Sequence, residues 1–159
     1  MNIEQFKTQN APTETDETFQ LENSYTLDVD VEGSVMAKAG AMIAYTGDLS
    51  FTGQATPEGG ITGFLKEAAT GEGTPIMNVE GDGHVYLADQ EKKVQVLHLE
   101  DDDALTINGE DLLAFESRVS YEIGELDRLA GAYAGGLTNV YLPGTGYVAA
   151  TAPGPPLLV

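Results

Sequence analysis

Apolar and polar residues alternate with a period of two along much of the chain. In Thr26–Val31 the apolar positions are Leu27, Val29 and Val31, while Thr26, Asp28 and Asp30 are polar. That pattern predicts a strand with one buried face. Val35–Tyr45 is richer in Ala and Gly and predicts a tightly packed strand pair rather than a helix. Val85–Leu87 and Val94–Leu99 predict a hairpin across Asp89–Lys93. Ala104–Ile107 and Leu112–Tyr121 predict a second hairpin, joined through Asn108-Gly109, a dipeptide suited to two positive-φ turn positions. Gly81-x-Gly83 reads as a further hairpin turn, and Tyr141–Ala150 as closing strand. A glycine-rich loop is expected over 53–63, with short helical segments over Phe64–Ala69 and Glu125–Tyr133. Residues 8–18 are polar, contain Pro12 and have no apolar period. The class is all-β: residues 1–18 are expected to be a flexible tail, 19–152 a single domain and 153–159 a second tail.

The chain also repeats itself. Met42–Phe51 (MIAYTGDLSF) aligns without gaps on Leu112–Tyr121 (LLAFESRVSY), seventy positions later. Asn78–Val85 likewise resembles Asn139–Val148, with two residues inserted. Two blocks in the same order point to duplication, with halves of about 19–88 and 89–152. Neither half could bury its apolar face alone, so the two are expected to pack as one β-sandwich. The paired aromatics Tyr45/Phe115 and Phe51/Tyr121 are assigned to its core.

Charge narrows the environment. Among 159 residues, 26 are acidic and 7 basic, a formal net charge of −19. Such a chain lacks the Lys and Arg needed to displace counterions from a nucleic acid, so DNA and RNA are excluded as partners. Self-repulsion on this scale is relieved by concentrated salt, and a halophilic setting is expected. Met1-Asn2-Ile3-Glu4-Gln5 opens no secretory or mitochondrial leader, and no apolar run could span a bilayer. The expected location is cytoplasmic, with no direct membrane insertion. Leu129–Val159 has no charged residue but is broken by glycines and prolines. It is expected to supply core strands and a surface covered by another subunit, either in a homo-oligomer or against a protein partner.

The run Gly33–Gly47 (GSVMAKAGAMIAYTG), Lys66–Gly73 (KEAATGEG), Gly81–Ala88 (GDGHVYLA) and Gly144–Val148 (GTGYV) resemble the blocks of the mitochondrial biogenesis, or altered-inheritance-of-mitochondria, family. The likeness covers roughly residues 20–150. It implies a β-sandwich of the double-stranded β-helix kind, similar to the tryptophan RNA-binding attenuation protein. In eukaryotes the family is tied to the mitochondrial inner membrane and respiratory-complex organisation. Without a transit peptide and with so acidic a composition, this chain does not inherit that role directly; it is expected to be a prokaryotic, haloarchaeal member.

Candidate chemistry is sparse. Cysteine is absent, which removes disulfides and thiolate catalysis. The only histidines are His84 and His98, which could meet across the 85–99 hairpin and form a metal site with a nearby carboxylate. No His-x-His pattern supports it. Glu100–Asp103 reads as a solvated acidic turn without the loop pattern of an EF-hand. No serine lies in a Gly-x-Ser-x-Gly setting, and Ser50 and Ser120 occupy equivalent repeat positions. No catalytic, cofactor-binding or metal-binding residue is therefore assigned, and no cofactor. The expected function is that of a non-enzymatic, self-associating scaffold or assembly factor. A small-metabolite binder is the first alternative and a His-based metalloenzyme the second.

Overall fold

The computed structural model describes residues 1–9, 11, 15–53, 76–125 and 138–155. The expected loop at 54–63 and the expected helices at 64–69 and 126–133 lie outside the described residues. So do Lys66–Gly73, carrying one block of the family likeness, and much of the uncharged 129–159 run.

The order is α1 (Ile3–Gln9), β1 (Phe19–Asn23), β2 (Thr26–Lys38), β3 (Met42–Gly53), β4 (Ile76–Leu87), β5 (Lys93–Leu99), β6 (Ala104–Asn108), β7 (Leu112–Glu116), β8 (Glu122–Glu125), β9 (Thr138–Pro143) and β10 (Gly146–Ala152). One turn of 3-10 helix, Gly109–Asp111, joins β6 to β7. The all-β expectation holds, with the short α1 inside the stretch expected to be a tail. All pairings are antiparallel. One sheet has seven strands in the order β3-β4-β2-β7-β10-β5, with β1 also on β2; the other has three, β6-β9-β8.

The alternation in β2 is realised along its length. Leu27, Val29, Val31, Val35 and Ala37 are buried on one face, while Met36 is buried on the other. The strands β2, β3 and β4 are too long to stay straight. A straight strand would separate Tyr45 from Phe51 by about 20 Å, yet their ring centroids are 5.0 Å apart. The large sheet therefore folds over on itself. The bend coincides with Gly33, Gly47, Gly81 and Gly83, all with positive φ. Ideal Cβ atoms at Gly81 and Gly83 would overlap the carbonyl oxygens of Asp48 and Thr46. Gly81-x-Gly83 is thus a bend within β4 and not a hairpin turn.

The folded sheet encloses a first core of Phe19, Leu27, Val29, Val31, Val79, Val85, Leu87, Leu113 and their neighbours. Its β5 edge returns to β1 and the turn that follows it: the Val94 N–H donates to the Ser24 carbonyl at 2.9 Å, and Phe19 stacks on Tyr147 at 5.9 Å. A second core, including Met36, Leu112, Phe115, Val140, Leu142 and Val148, lies between this sheet and the small one. On β7, Ala114 faces the first core and Phe115 the second.

The other two expected hairpins are corrected as well, and the strands of Val35–Tyr45 do not pair with each other, because β4 lies between β2 and β3. β4 pairs with β2 and β3, while β5 pairs with β10. β6 pairs with β9 rather than β7. Asn108 has φ −65°, and its side chain accepts a hydrogen bond from the Glu110 N–H, capping the 3-10 turn. Side-chain capping competes with the positive-φ turn for the same residue, and here it prevails. In the described part of the uncharged run, Val140, Leu142, Val148, Ala149 and Thr151 are buried, while Tyr141 is exposed.

Candidate functional site

Three features of the described surface carry organised side chains. The first follows from strand alternation, which places Asp28, Asp30 and Glu32 on the outer face of β2. Asp28 is only 2% exposed. Its carboxylate accepts hydrogen bonds from Gln20 Nε2 at 2.8 Å and from His84 Nδ1 at 2.9 Å. Gln20 Oε1 in turn accepts from the Thr15 N–H and hydroxyl. His84 Nε2 lies 3.9 Å from Asp30 Oδ1. The hydrogen bond to Asp28 raises the His84 pKa, with attraction from Asp28 and Asp30 adding to it and burial opposing. Tyr86 is raised by burial first, then by the fields of Asp28 and Glu22. Among the described residues, Glu22 Oε2 is buried without a hydrogen-bond partner. A histidine held this way can gain or lose a proton at Nε2.

The second feature is a cleft of about 330 Å³. It opens where the edge of β2 changes partner: β1 pairs as far as Val29, and β7 begins at Val35. Asp16, Asp30, Glu32, Glu116 and Arg118 line it, with Ser34 and Ser117. Glu116 Oε2 is committed to Arg118 and to the Tyr147 N–H, and Ser117 donates to the Ser34 carbonyl. The cleft is acidic and polar, and its chemistry suits a small cationic molecule better than an anion.

The third feature is β3 itself. This terminal strand is exposed from Met42 to Asp48, with Ile43 62% and Tyr45 51% accessible. Tyr45 is therefore not in the core, although Phe115 is, and Phe51 and Tyr121 pack beside it. The period places Tyr45 on the inward face, but among the described residues β3 is the last strand of the sheet and no further strand covers it.

The two histidines do not meet. His84 sits on β4, while His98 is on β5 at the opposite edge, against Tyr147 at 4.7 Å. Among the described residues, no three His, Asp or Glu side chains come together in a way that could hold a metal. In Glu100–Asp103 the carboxylates of Asp103 and Asp101 accept from the Glu100 N–H and the Thr145 hydroxyl. Ser50 donates to the Glu80 carbonyl, while the Ser120 N–H donates to the Pro143 carbonyl. Among the described residues no helix is long and apolar enough to cross a membrane.

These observations define an antiparallel all-β protein, acidic in composition, in which β3 is a long apolar strand paired on one side only among the described residues. The chain belongs to the family described as mitochondrial biogenesis AIM24, matched over residues 19–158. No curated protein matches it. Among solved structures it is similar to a protein of Streptococcus pyogenes determined by X-ray crystallography, with 22% identity and a TM-score of 0.62. The likeness covers 85% of this chain and 63% of that one, so this chain spans less than two thirds of its neighbour's length. At that identity the likeness concerns the fold.

Proposed function

We propose that the chain is a non-enzymatic, self-associating β protein of the cytoplasm that acts as a scaffold or assembly factor. The observation that carries this reading is β3, a twelve-residue terminal strand with exposed Ile43 and Tyr45 and a single charged residue, Asp48. Long apolar edges are normally covered, charged or paired. The reading takes the architecture as two tandem, similar halves of a double-stranded β-helix, as in the tryptophan RNA-binding attenuation protein. The repeat of Met42–Phe51 in Leu112–Tyr121 supports it. It also places the protein in concentrated salt, where like charges tolerate close approach. The test is affinity isolation from the host at native salt, followed by mass measurement of what remains bound. A stoichiometric complex, with itself or with a second protein, is expected; isolation of the lone chain would refute the reading.

The 330 Å³ cleft favours a second reading, a binder of a small cationic metabolite. It predicts saturable thermal stabilisation by one compound, about 2.7 kcal/mol at a hundred times its dissociation constant. A screen of amines and polyamines that moves the melting temperature no further than simple salt does would remove it.

A further inference from the structure

We infer that the exposed edge of β3, over Met42–Thr46, pairs with the same segment of a second copy of this chain, extending the large sheet across the two molecules. This deepens the self-association reading and rests on it.

The two edges of the large sheet differ. At β5 the Ser24 carbonyl meets the Val94 N–H, and Phe19 closes over Tyr147. At β3 one side of the strand is hydrogen-bonded to β4 from Met42 to Gly53, and among the described residues no strand pairs with the other side. Among the described residues the protections of this edge are one bulge, between Met42 and Ala44, and one charge, Asp48; Met42–Gly53 has no Lys and no Pro. Among the strand residues whose burial is described, Ile43 and Tyr45 are the most exposed large apolar side chains. Tyr45 also packs edge-on against Phe51 where the sheet folds over, so the rim of the first core lies open beside it.

Charge selects the occupant. A basic partner would settle on the carboxylates of Asp30, Glu32, Asp48 and Asp82, not on the neutral Met42–Thr46 strip. A second copy, at −19, is repelled wherever carboxylates face carboxylates, and a neutral strip such as Met42–Thr46 lets two such chains approach. Antiparallel pairing about a twofold axis lets one neutral strip supply both sides of the contact.

The test uses the full chain, the double variant Ile43→Glu/Tyr45→Glu and its opposite, Ile43→Lys/Tyr45→Lys, at low and at molar salt. Sedimentation equilibrium is expected to show wild-type dimers or larger assemblies, and each variant weakened about a hundredfold or more. Mixing the two variants at low salt should restore association, because opposite charges then face each other across the axis. Circular dichroism must show both variants folded, and Tyr141→Lys, altered at an exposed residue of β9, should associate like wild type. Wild-type assemblies that survive both double variants would overturn the assignment of this edge while leaving self-association standing. A wild-type chain that is monomeric throughout the micromolar to millimolar range would overturn both. Capture of a different protein by the Met42–Thr46 strip of a monomeric chain would replace the second copy as occupant.

Discussion

At the scale of single residues, the Asp28–His84 contact couples stability to pH. Protonated His84 is favoured in the folded chain, chiefly by its hydrogen bond to Asp28. A folded-state pKa above the unfolded one contributes stability that is complete below the unfolded value. That stability is lost as pH rises through the raised folded value. Because His84 is more than a third exposed, solvent screens the effect and only a modest change is expected. NMR titration of the His84 ring should show a midpoint above the ordinary imidazole value, moving down in Asp28→Asn. An unchanged midpoint in that variant would mean that Asp28 does not set it. The bend glycines give a larger effect. Gly81→Ala and Gly83→Ala each force a Cβ into a backbone carbonyl, whereas a Cβ at Gly33 meets nothing within 4 Å. The first two should destabilise by about 2 kcal/mol or more beyond Gly33→Ala, which carries only the strain of its positive φ. Urea melts of the three variants check the order, and equal losses would show that overlap at the bend is relieved without cost.

At the scale of elements, β7 ties the two cores together, because adjacent Ala114 and Phe115 serve opposite faces. Phe115→Ala should cost about 3–5 kcal/mol, the range for emptying an aromatic site in a well-packed core. Tyr121→Ala, at a partly exposed position beside it, should cost markedly less; comparable losses in chemical denaturation would place the second core elsewhere. This element also shows how much of the fold could be read beforehand. Period-two alternation located most strands and the inward face of β2, because it depends only on neighbouring residues. It could not locate partners: β5 finds β10 some fifty residues on, and β6 finds β9. Turn chemistry misled for a physical reason, since Asn108 caps a 3-10 turn through its side chain, and the Gly81 and Gly83 backbones press against β3. The candidate site was half legible. His84 stood out as one of two histidines, but its partner Asp28 is 56 positions away and joined only by the β2–β4 register. Asp28 looked like any polar residue on an outer face, and β1 and Gln20 are what bury it. Tyr45 looked like core because alternation reports a face and not where the sheet stops.

At the scale of the whole molecule, charge decides the conditions under which this fold is comfortable. The outer face of the bend carries a row of acids on three adjacent strands, with Glu32 opposite Asp82 on one side and Asp82 opposite Asp48 on the other. All three are exposed, and like charges directly opposite on neighbouring strands are destabilising. None of the described ion pairs involves them. The screening length shrinks from about 10 Å at 0.1 M salt to about 3 Å at 1 M, shorter than the spacing of adjacent strands. Removing the middle charge by Asp82→Asn should therefore stabilise the chain by about 0.5–1 kcal/mol in low salt and by almost nothing in molar salt. Wild type should gain stability with salt more steeply than the variant, and potassium and sodium chloride should act alike, because screening depends on ionic strength and not on the identity of the cation. Thermal melts of both chains across a salt series measure the difference directly. If Asp82→Asn is no more stable than wild type in low salt, the acidic row is not a site of repulsion. If its advantage persists undiminished in molar salt, the gain comes from packing or hydrogen bonding, and the case for adaptation to concentrated salt loses its structural support.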